Sequence, residues 1–253
     1  MVHLDAYEER LVIFMDILGF KDAVNESSIS PKMFDKIKVT LEHIFSEKNK
    51  NDEENKKFEN YSYQLSIFSD SLIYSTPIDD DNTIFFALVM AEYMQRELLD
   101  LGFLTRGGIT VGKMVHNQEV AFGPALVEAV ELEQSMAIYP RVIMASNSYQ
   151  KIDERLKQNG KFAYLYDKKS FDALLKKYQN EINETFYFLD FLSQRDEYDY
   201  KEDYLQILKK AKTIVEENIV IYSGKKQIQN KYVWFKNYLL DVCRNKSIQY
   251  KNL

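Results

Sequence analysis

Asp16 and Asp70 each stand where a carboxylate is costly. Asp16 lies inside the apolar run VIFMDILGF (Val12–Phe20), and Asp70 interrupts LSIFSDSLIYS (Leu65–Ser75). Burying a carboxylate among β-branched and aromatic neighbours is unfavourable unless a cation lies beside it. Two such groups, drawn together by strand pairing, form a divalent-metal site of the kind that moves phosphoryl groups. Each also has a plainer reading. Asp16 suits a helix cap, and Asp70, between Ser69 and Ser71, suits a tight turn with side-chain-to-backbone bonds. Taken as a pair, they favour the metal. Gly19, three residues after Asp16, suits a turn whose N–H groups face a phosphate at the start of the next helix.

Other candidates are weaker. Arg106-Gly107-Gly108-Ile109-Thr110-Val111-Gly112 is glycine-dense for a strand, which marks a bulge or the close approach of a backbone or ligand. Arg106 and Lys113 are cations that either face phosphate or are simply solvated. Phe122–Glu133 opens a helix with Gly123 and Pro124. Glu128, Glu131 and Glu133 cannot all share one face of it, so at least one is expected in solvent. The Asp79–Asp81 run reads as an N-cap, because the later ligands of a calcium loop are missing. Lys231-Tyr232-Val233-Trp234-Phe235 reads as a packed helix face, and the C-terminal aromatics as core.

Composition narrows the function classes. The 253 residues carry a formal charge of −6 with both signs mixed along the chain, so duplex nucleic acid is not an expected partner. The one cysteine, Cys243, excludes a disulfide framework or a cysteine-based zinc site. The three histidines, His3, His43 and His116, are scattered. No stretch reaches the roughly 20 apolar residues of a membrane span, and no basic-then-apolar leader opens the chain. A soluble cytoplasmic protein with no membrane partner is expected, and no internal repeat is visible.

The elements that must position these residues follow from periodicity. A buried strand is expected over Arg10–Ile17, and a helix from Pro31 to about Lys48. Glu47–Lys57 reads as a charged exposed loop. Tyr61–Thr76 reads as a hairpin around Ser69–Ser71, Asp79–Asn82 as the cap of a helix over Thr83–Leu101, and Thr105–Val111 with Met114–Ala121 as a strand pair. A helix over Gly123–Ala137 and a strand over Arg141–Ala145 complete the unit. This order predicts an α+β, ferredoxin-like core with an antiparallel sheet and helices, occupying residues 1–150. Residues 151–253 are expected to form a mainly helical extension packed on the core, with helices over Tyr204–Val220 and Lys226–Val242. Within it, Phe162–Tyr166 and Phe186–Phe191 are candidate strands.

Together these segments resemble a class III nucleotidyl cyclase homology domain over roughly residues 8–150. The family's Asp-Ile-x-Gly-Phe turn is matched by Asp16-Ile17-Leu18-Gly19-Phe20, and its Gly-Asp hairpin by Ser69-Asp70. Its Arg-x-Gly-Ile-x-x-Gly strand is matched by Arg106–Gly112, and its Gly-x-x-Val-Asn-x-Ala-x-Arg helix has Phe122–Glu133 as counterpart. The departures are specific. The family's transition-state Asn falls on Val127 and its Arg on Glu131. The purine-selecting Lys falls on Ser66, and the partner Asp of adenylate cyclases on Val120. The pattern is most similar to the bacterial pyrimidine (uridylate/cytidylate) cyclases of Pycsar antiphage defence, which Tyr139-Pro140-Arg141 and Lys231-Tyr-x-Trp234 also resemble.

The resemblance implies an enzyme that converts UTP or CTP to the 3′,5′-cyclic monophosphate and pyrophosphate. Two Mg²⁺ or Mn²⁺ ions would rest on Asp16, Asp70 and the Ile17 carbonyl, with the N–H groups of Leu18, Gly19 and Phe20 around the phosphates. Arg106, Lys113 and Arg141 are its candidates for stabilising phosphate charge, and Ser66, Phe68 and Val120 for the base. It implies a head-to-tail homodimer with composite sites and a separate effector switched on by the cyclic nucleotide. A purine cyclase and a catalytically silent nucleotide-binding or scaffold domain are the alternatives. A polymerase-palm or cyclic-dinucleotide synthase shares the expected fold and metals, but its GGDEF-type signature is absent.

Overall fold

The computed structural model describes residues 6–57, 63–79, 81–158, 161–179, 183–194 and 200–253. The first element, β1 (Glu8–Ile17), is an interior strand whose continuous apolar run is explained by cover on both faces. Leu11, Ile13, Met15 and Ile17 point into the largest core cluster. Val12 and Phe14 point the other way, toward Ala125 and Ala129 of a helix on the opposite face. Asp16 continues this second row.

After β1 come α1 (Phe20–Ser27), α2 (Pro31–Lys57) and the hairpin of β2 (Gln64–Phe68) and β3 (Ser71–Pro77). Pro31 sits at the helix start as expected, and Ser30 caps it, its Oγ accepting from Met33 N–H at 3.3 Å. Next are α3 (Asp81–Asp100), β4 (Thr105–His116), the two-residue β5 (Ala121–Phe122), α4 (Pro124–Ser135) and β6 (Val142–Ala145). The buried residues Ile84, Ala87, Leu88, Ala91, Met94 and Leu98 repeat at helical spacing, so α3 presents one face to the sheet. The remaining elements are α5 (Ser146–Lys157), α6 (Lys161–Ala173), β7 (Leu175–Gln179), β8 (Thr185–Leu189), α7 (Lys201–Ile221), α8 (Lys226–Asn245) and a final 3₁₀ turn.

One sheet runs through the molecule in the order β2-β3-β1-β4-β6-β8-β7, with β5 on β4. Every pairing is antiparallel except β4 with β6. The chain is therefore α+β with one mostly antiparallel sheet, as its sequence led us to expect. The sheet continues past residue 150, because β8 pairs with β6. The helices α7 and α8 bury a second apolar cluster containing Leu99, Leu104, Phe188 and Phe191.

Three local expectations are corrected, and one strand is added. The charged segment Glu47–Lys57 is the last part of α2, not a loop; Lys and Glu are good helix formers, and Lys50 pairs with Glu47 one turn back at 2.6 Å. Thr105–Val111 and Met114–Ala121 are not two strands of a hairpin, because β4 passes unbroken through Gly112. Phe162–Tyr166 lies in α6 and is not a strand. Strand β7 was not anticipated; its Lys-rich LKKYQ sequence is that of a sheet edge, where charge blunts further pairing. The expected hairpin start at Tyr61 and part of the Asp79–Asn82 cap lie outside the described residues.

The glycines of β4 are explained by packing. A Cβ on Gly107 would come 2.1 Å from the Phe14 carbonyl oxygen of β1, and one on Gly108 would come 2.2 Å from the Ala129 oxygen of α4. Backbone approach is therefore what this strand's composition serves.

Candidate active site

Strand register brings the first two candidates together. Asp16, near the end of β1, is directly opposite Ser71 of β3, so Asp70 in the preceding turn lies beside it. Ile17 N–H donates to the Asp70 carbonyl at 3.1 Å, fixing the turn against the strand end. Ser69 adopts φ 56, which makes the turn tight enough to do this. The Asp70 charge is also among the influences that raise the Asp16 pKa, behind burial and against the opposing pull of Arg106. Immediately after Ile17 the chain turns at Gly19, in the left-handed region at φ 77, and α1 begins at Phe20.

Arg106 joins the pair from the other side, since it is the direct partner of Asp16 across β1 and β4. Its Nε–H donates to Asp16 Oδ2 at 3.2 Å. Glu133, from α4, places Oε1 nearer the same nitrogen, at 2.6 Å. The side chain of Glu133 is only 4% exposed, against 24% for Arg106. Its carboxyl pKa is raised, first by burial, with Arg106 opposing. Lys231 of α8 completes the group. Burial depresses its ammonium pKa first, then the Arg106 charge, while Asp16 and Glu133 pull it up. Three carboxylates thus face two cations, in a half-buried setting that disfavours unbalanced negative charge.

The donor chemistry fits a hard divalent cation: two carboxylates at neighbouring strand ends and a local charge one short of neutral. Among the described residues no group of three or more His, Cys, Asp or Glu side chains is arranged to hold a metal. A cation here would take only Asp16 and Asp70 from the protein's side chains, and phosphate oxygens and water would fill the rest of an octahedral shell.

The other sequence candidates are placed as follows. Leu18 N–H is bonded to the Leu104 carbonyl at 2.8 Å, so the expected phosphate cradle over Leu18–Phe20 begins at Gly19. Lys113 pairs with Glu9, seven positions from Asp16 along the same two strands, and is exposed. That is about 23 Å at strand rise. Ser66 is engaged with His116 Nε2 at 2.9 Å, and Ser75 holds the other ring nitrogen at 2.8 Å. Phe68 is 80% exposed at the hairpin end. Val120 closes a turn, its N–H on Asn117 Oδ1 and its carbonyl accepting from Asn117 N–H. Arg141 is not beside the carboxylates: its guanidinium lies 4.0 Å over the Tyr178 ring, with Trp234 at 5.2 Å and Tyr139 at 5.4 Å. Val127 and Glu131 are exposed on α4.

Glu133 and Lys231 are the members of the cluster that sequence reasoning did not place there. An acid late in a helix that carries two other glutamates reads as solvated. Its only sequence signal is spacing: Ala125, Ala129 and Glu133 recur at four residues, so Glu133 shares the face that packs on the sheet.

No family model matches the sequence, and no curated protein matches it. Among solved structures the chain is similar to the adenylyl cyclase CyaB from P. aeruginosa, at 12% identity and a TM-score of 0.48 over 74% of this chain and 96% of that one. It is similar to a bacterial light-regulated adenylyl cyclase at 13% identity and a TM-score of 0.46, over 92% of this chain and 59% of that one. It is also similar to the catalytic core of a rhodopsin-guanylyl cyclase with converted specificity, at 18% identity and a TM-score of 0.44, over 74% of this chain and 98% of that one. Among the described residues no helix is long and apolar enough to cross a membrane.

Proposed function

We propose that the chain is a metal-dependent nucleotidyl cyclase acting on UTP or CTP. The observation that supports this best is the meeting of Asp16 and Asp70 at one end of the sheet, next to the start of α1. A bound divalent cation would supply charge neutralisation on the triphosphate and a lowered pKa for a coordinated hydroxyl. The ribose 3′-oxygen forms a bond to the α-phosphorus as the bond to the β-phosphate's bridging oxygen breaks. Pyrophosphate leaves, and the 3′-hydroxyl proton is lost to solvent. Asp16 and Asp70 would hold the cation, and the first N–H groups of α1, unbonded within the helix, would be available to the phosphates. Glu133 shares Arg106 with Asp16, so the guanidinium is kept from closing fully over the carboxylate. The sequence resemblance adds a homodimer with composite sites, and a role as second-messenger source in antiphage defence.

The test is incubation with all four ribonucleoside triphosphates and Mn²⁺, with products read by mass spectrometry. Cyclic UMP or cyclic CMP that disappears in Asp70→Ala is the expected result. Cyclic AMP or GMP would move the reading to a purine cyclase. A second reading, a silent nucleotide-binding domain, draws on Val127 and Glu131, exposed on α4 where the resembled family carries Asn and Arg. Absence of any product with nucleotide binding retained would favour it.

A further inference from the structure

One strand beyond Arg106 the same end of the sheet opens into a cleft of about 670 Å³, nucleotide-sized and walled by aromatic rings. Arg141 immediately precedes β6, its carbonyl accepting from Gly107 N–H at 3.1 Å, so it follows Arg106 in a row that begins at Asp16. The α8 helix crosses this row. Lys231 answers electrostatically to Asp16 and Glu133, and one turn later Trp234 stacks on Tyr139 at 5.5 Å and 9°. The Arg141 guanidinium lies over Tyr178, and its Nε is buried without a hydrogen-bond partner. The other charges lining the cleft, Lys176 and Asp241, face each other at 3.8 Å, which leaves Arg141 as the lining charge with no ion pair among the described residues.

We infer that this cleft is the base-binding half of the site, and that it selects a nucleobase with an exocyclic carbonyl. The inference rests on the cyclase reading above for its substrate class. Flat rings of the Tyr139–Trp234 stack and Tyr178 match a base plane. A guanidinium donates and never accepts, so the cleft-lining head of Arg141, which has no ion pair among the described residues, calls for an acceptor. Uracil, cytosine and guanine offer a carbonyl oxygen, whereas adenine sets an amino donor beside its ring nitrogens, which a donor-only group opposes. Two strand spacings separate Asp16 from Arg141, about 10 Å, the scale of a nucleotide stretched from base to phosphate.

Trp234 is the only tryptophan of the chain and stands in the cleft wall, so its emission reports occupancy without turnover. The full chain, in EDTA, is titrated with uridine 5′-monophosphate and with adenosine 5′-monophosphate. Saturable quenching by the uridine nucleotide is expected, with the adenosine nucleotide at least tenfold weaker. Arg141→Ala is expected to weaken the uridine nucleotide at least tenfold. Asn237→Phe, at an exposed position of the lining, blocks the cleft without removing a core contact and is expected to do the same. Equal response to both nucleotides, or no effect of either cleft variant, overturns the inference. Turnover without quenching removes the base cleft and leaves the cyclase; quenching in a protein without turnover removes the cyclase and leaves the cleft.

Discussion

At the scale of single residues, the arrangement around Arg106 makes Glu133 a positioning residue. Its oxygen sits closer to the guanidinium nitrogen than that of Asp16 does, 2.6 against 3.2 Å. Glu133→Gln removes the charge and keeps the shape, so Arg106 is left to Asp16 alone. Turnover is expected to fall about tenfold, or about 1.4 kcal/mol in the barrier, with little change in melting temperature. Unchanged turnover would show that Arg106 needs no such restraint.

His116 makes a different statement, about stability. Burial, and then the Arg10 and Lys48 charges, hold its ring pKa down to about 3. The unfolded chain takes up that proton near pH 6.5 while the native state does not, so stability is lost as pH falls from about 6.5 toward 3. The slope is up to about 1.4 kcal/mol per pH unit. Buried Asp16 and Glu133, with raised values, act in the opposite sense. Urea unfolding of the wild type and of His116→Gln over this range isolates the histidine: the variant is expected to show the flatter acid limb. Parallel curves would mean that the ring protonates in the folded state.

At the scale of elements, β4 is a strand whose glycines are seats for a neighbour. Gly108→Ala drives a methyl group to 2.2 Å from the Ala129 carbonyl and must lift α4 off the sheet. A loss of about 2 kcal/mol or more is expected in thermal unfolding, with Glu133 displaced along with its helix. Gly112→Ala meets only the Ala125 side chain, at 3.4 Å, and is expected to be nearly neutral. Equal losses at both positions would place the cost in strand propensity instead. The same strand shows what local pattern conveys and what it omits. Asp16, Asp70 and Arg106 were legible because each stands out against its own few neighbours. The break expected between Thr105–Val111 and Met114–Ala121 is absent, because Gly112 serves the packing of α4, which nothing within its own strand shows. The Glu47–Lys57 charges suggested solvent, which by itself says nothing against a helix. Phe162–Tyr166 has the aromatic content of a strand and was resolved only by context. Glu133 and Arg106 lie 27 positions apart on different elements, and pairing of that kind exists only once the fold does.

At the scale of the whole molecule, α7 and α8 are structural as well as local to the site. They cover Leu99, Leu104, Phe188 and Phe191, which belong to the sheet and its flanking elements. Ending the chain after residue 200 is therefore expected to expose this cluster and give an aggregating, protease-sensitive product. A monodisperse fragment with a cooperative melt would make residues 201–253 an independent appendage. Sedimentation of the full chain is expected to show the dimer that the cyclase reading requires, and a strict monomer would leave no composite site.

The interior position of β1 also sets an order of events during synthesis. Asp16 and its partner Arg106 are 90 residues apart, and the hairpin partner strand starts only at Ser71. As the chain emerges from the ribosome, apolar Val12–Ile17 precedes both of its neighbours. It can pair on one side once β3 has been made, and on the other only when β4 follows. Until then a strand destined for the interior of the sheet is an unpaired apolar segment, and a natural grip for chaperones that bind extended apolar peptide.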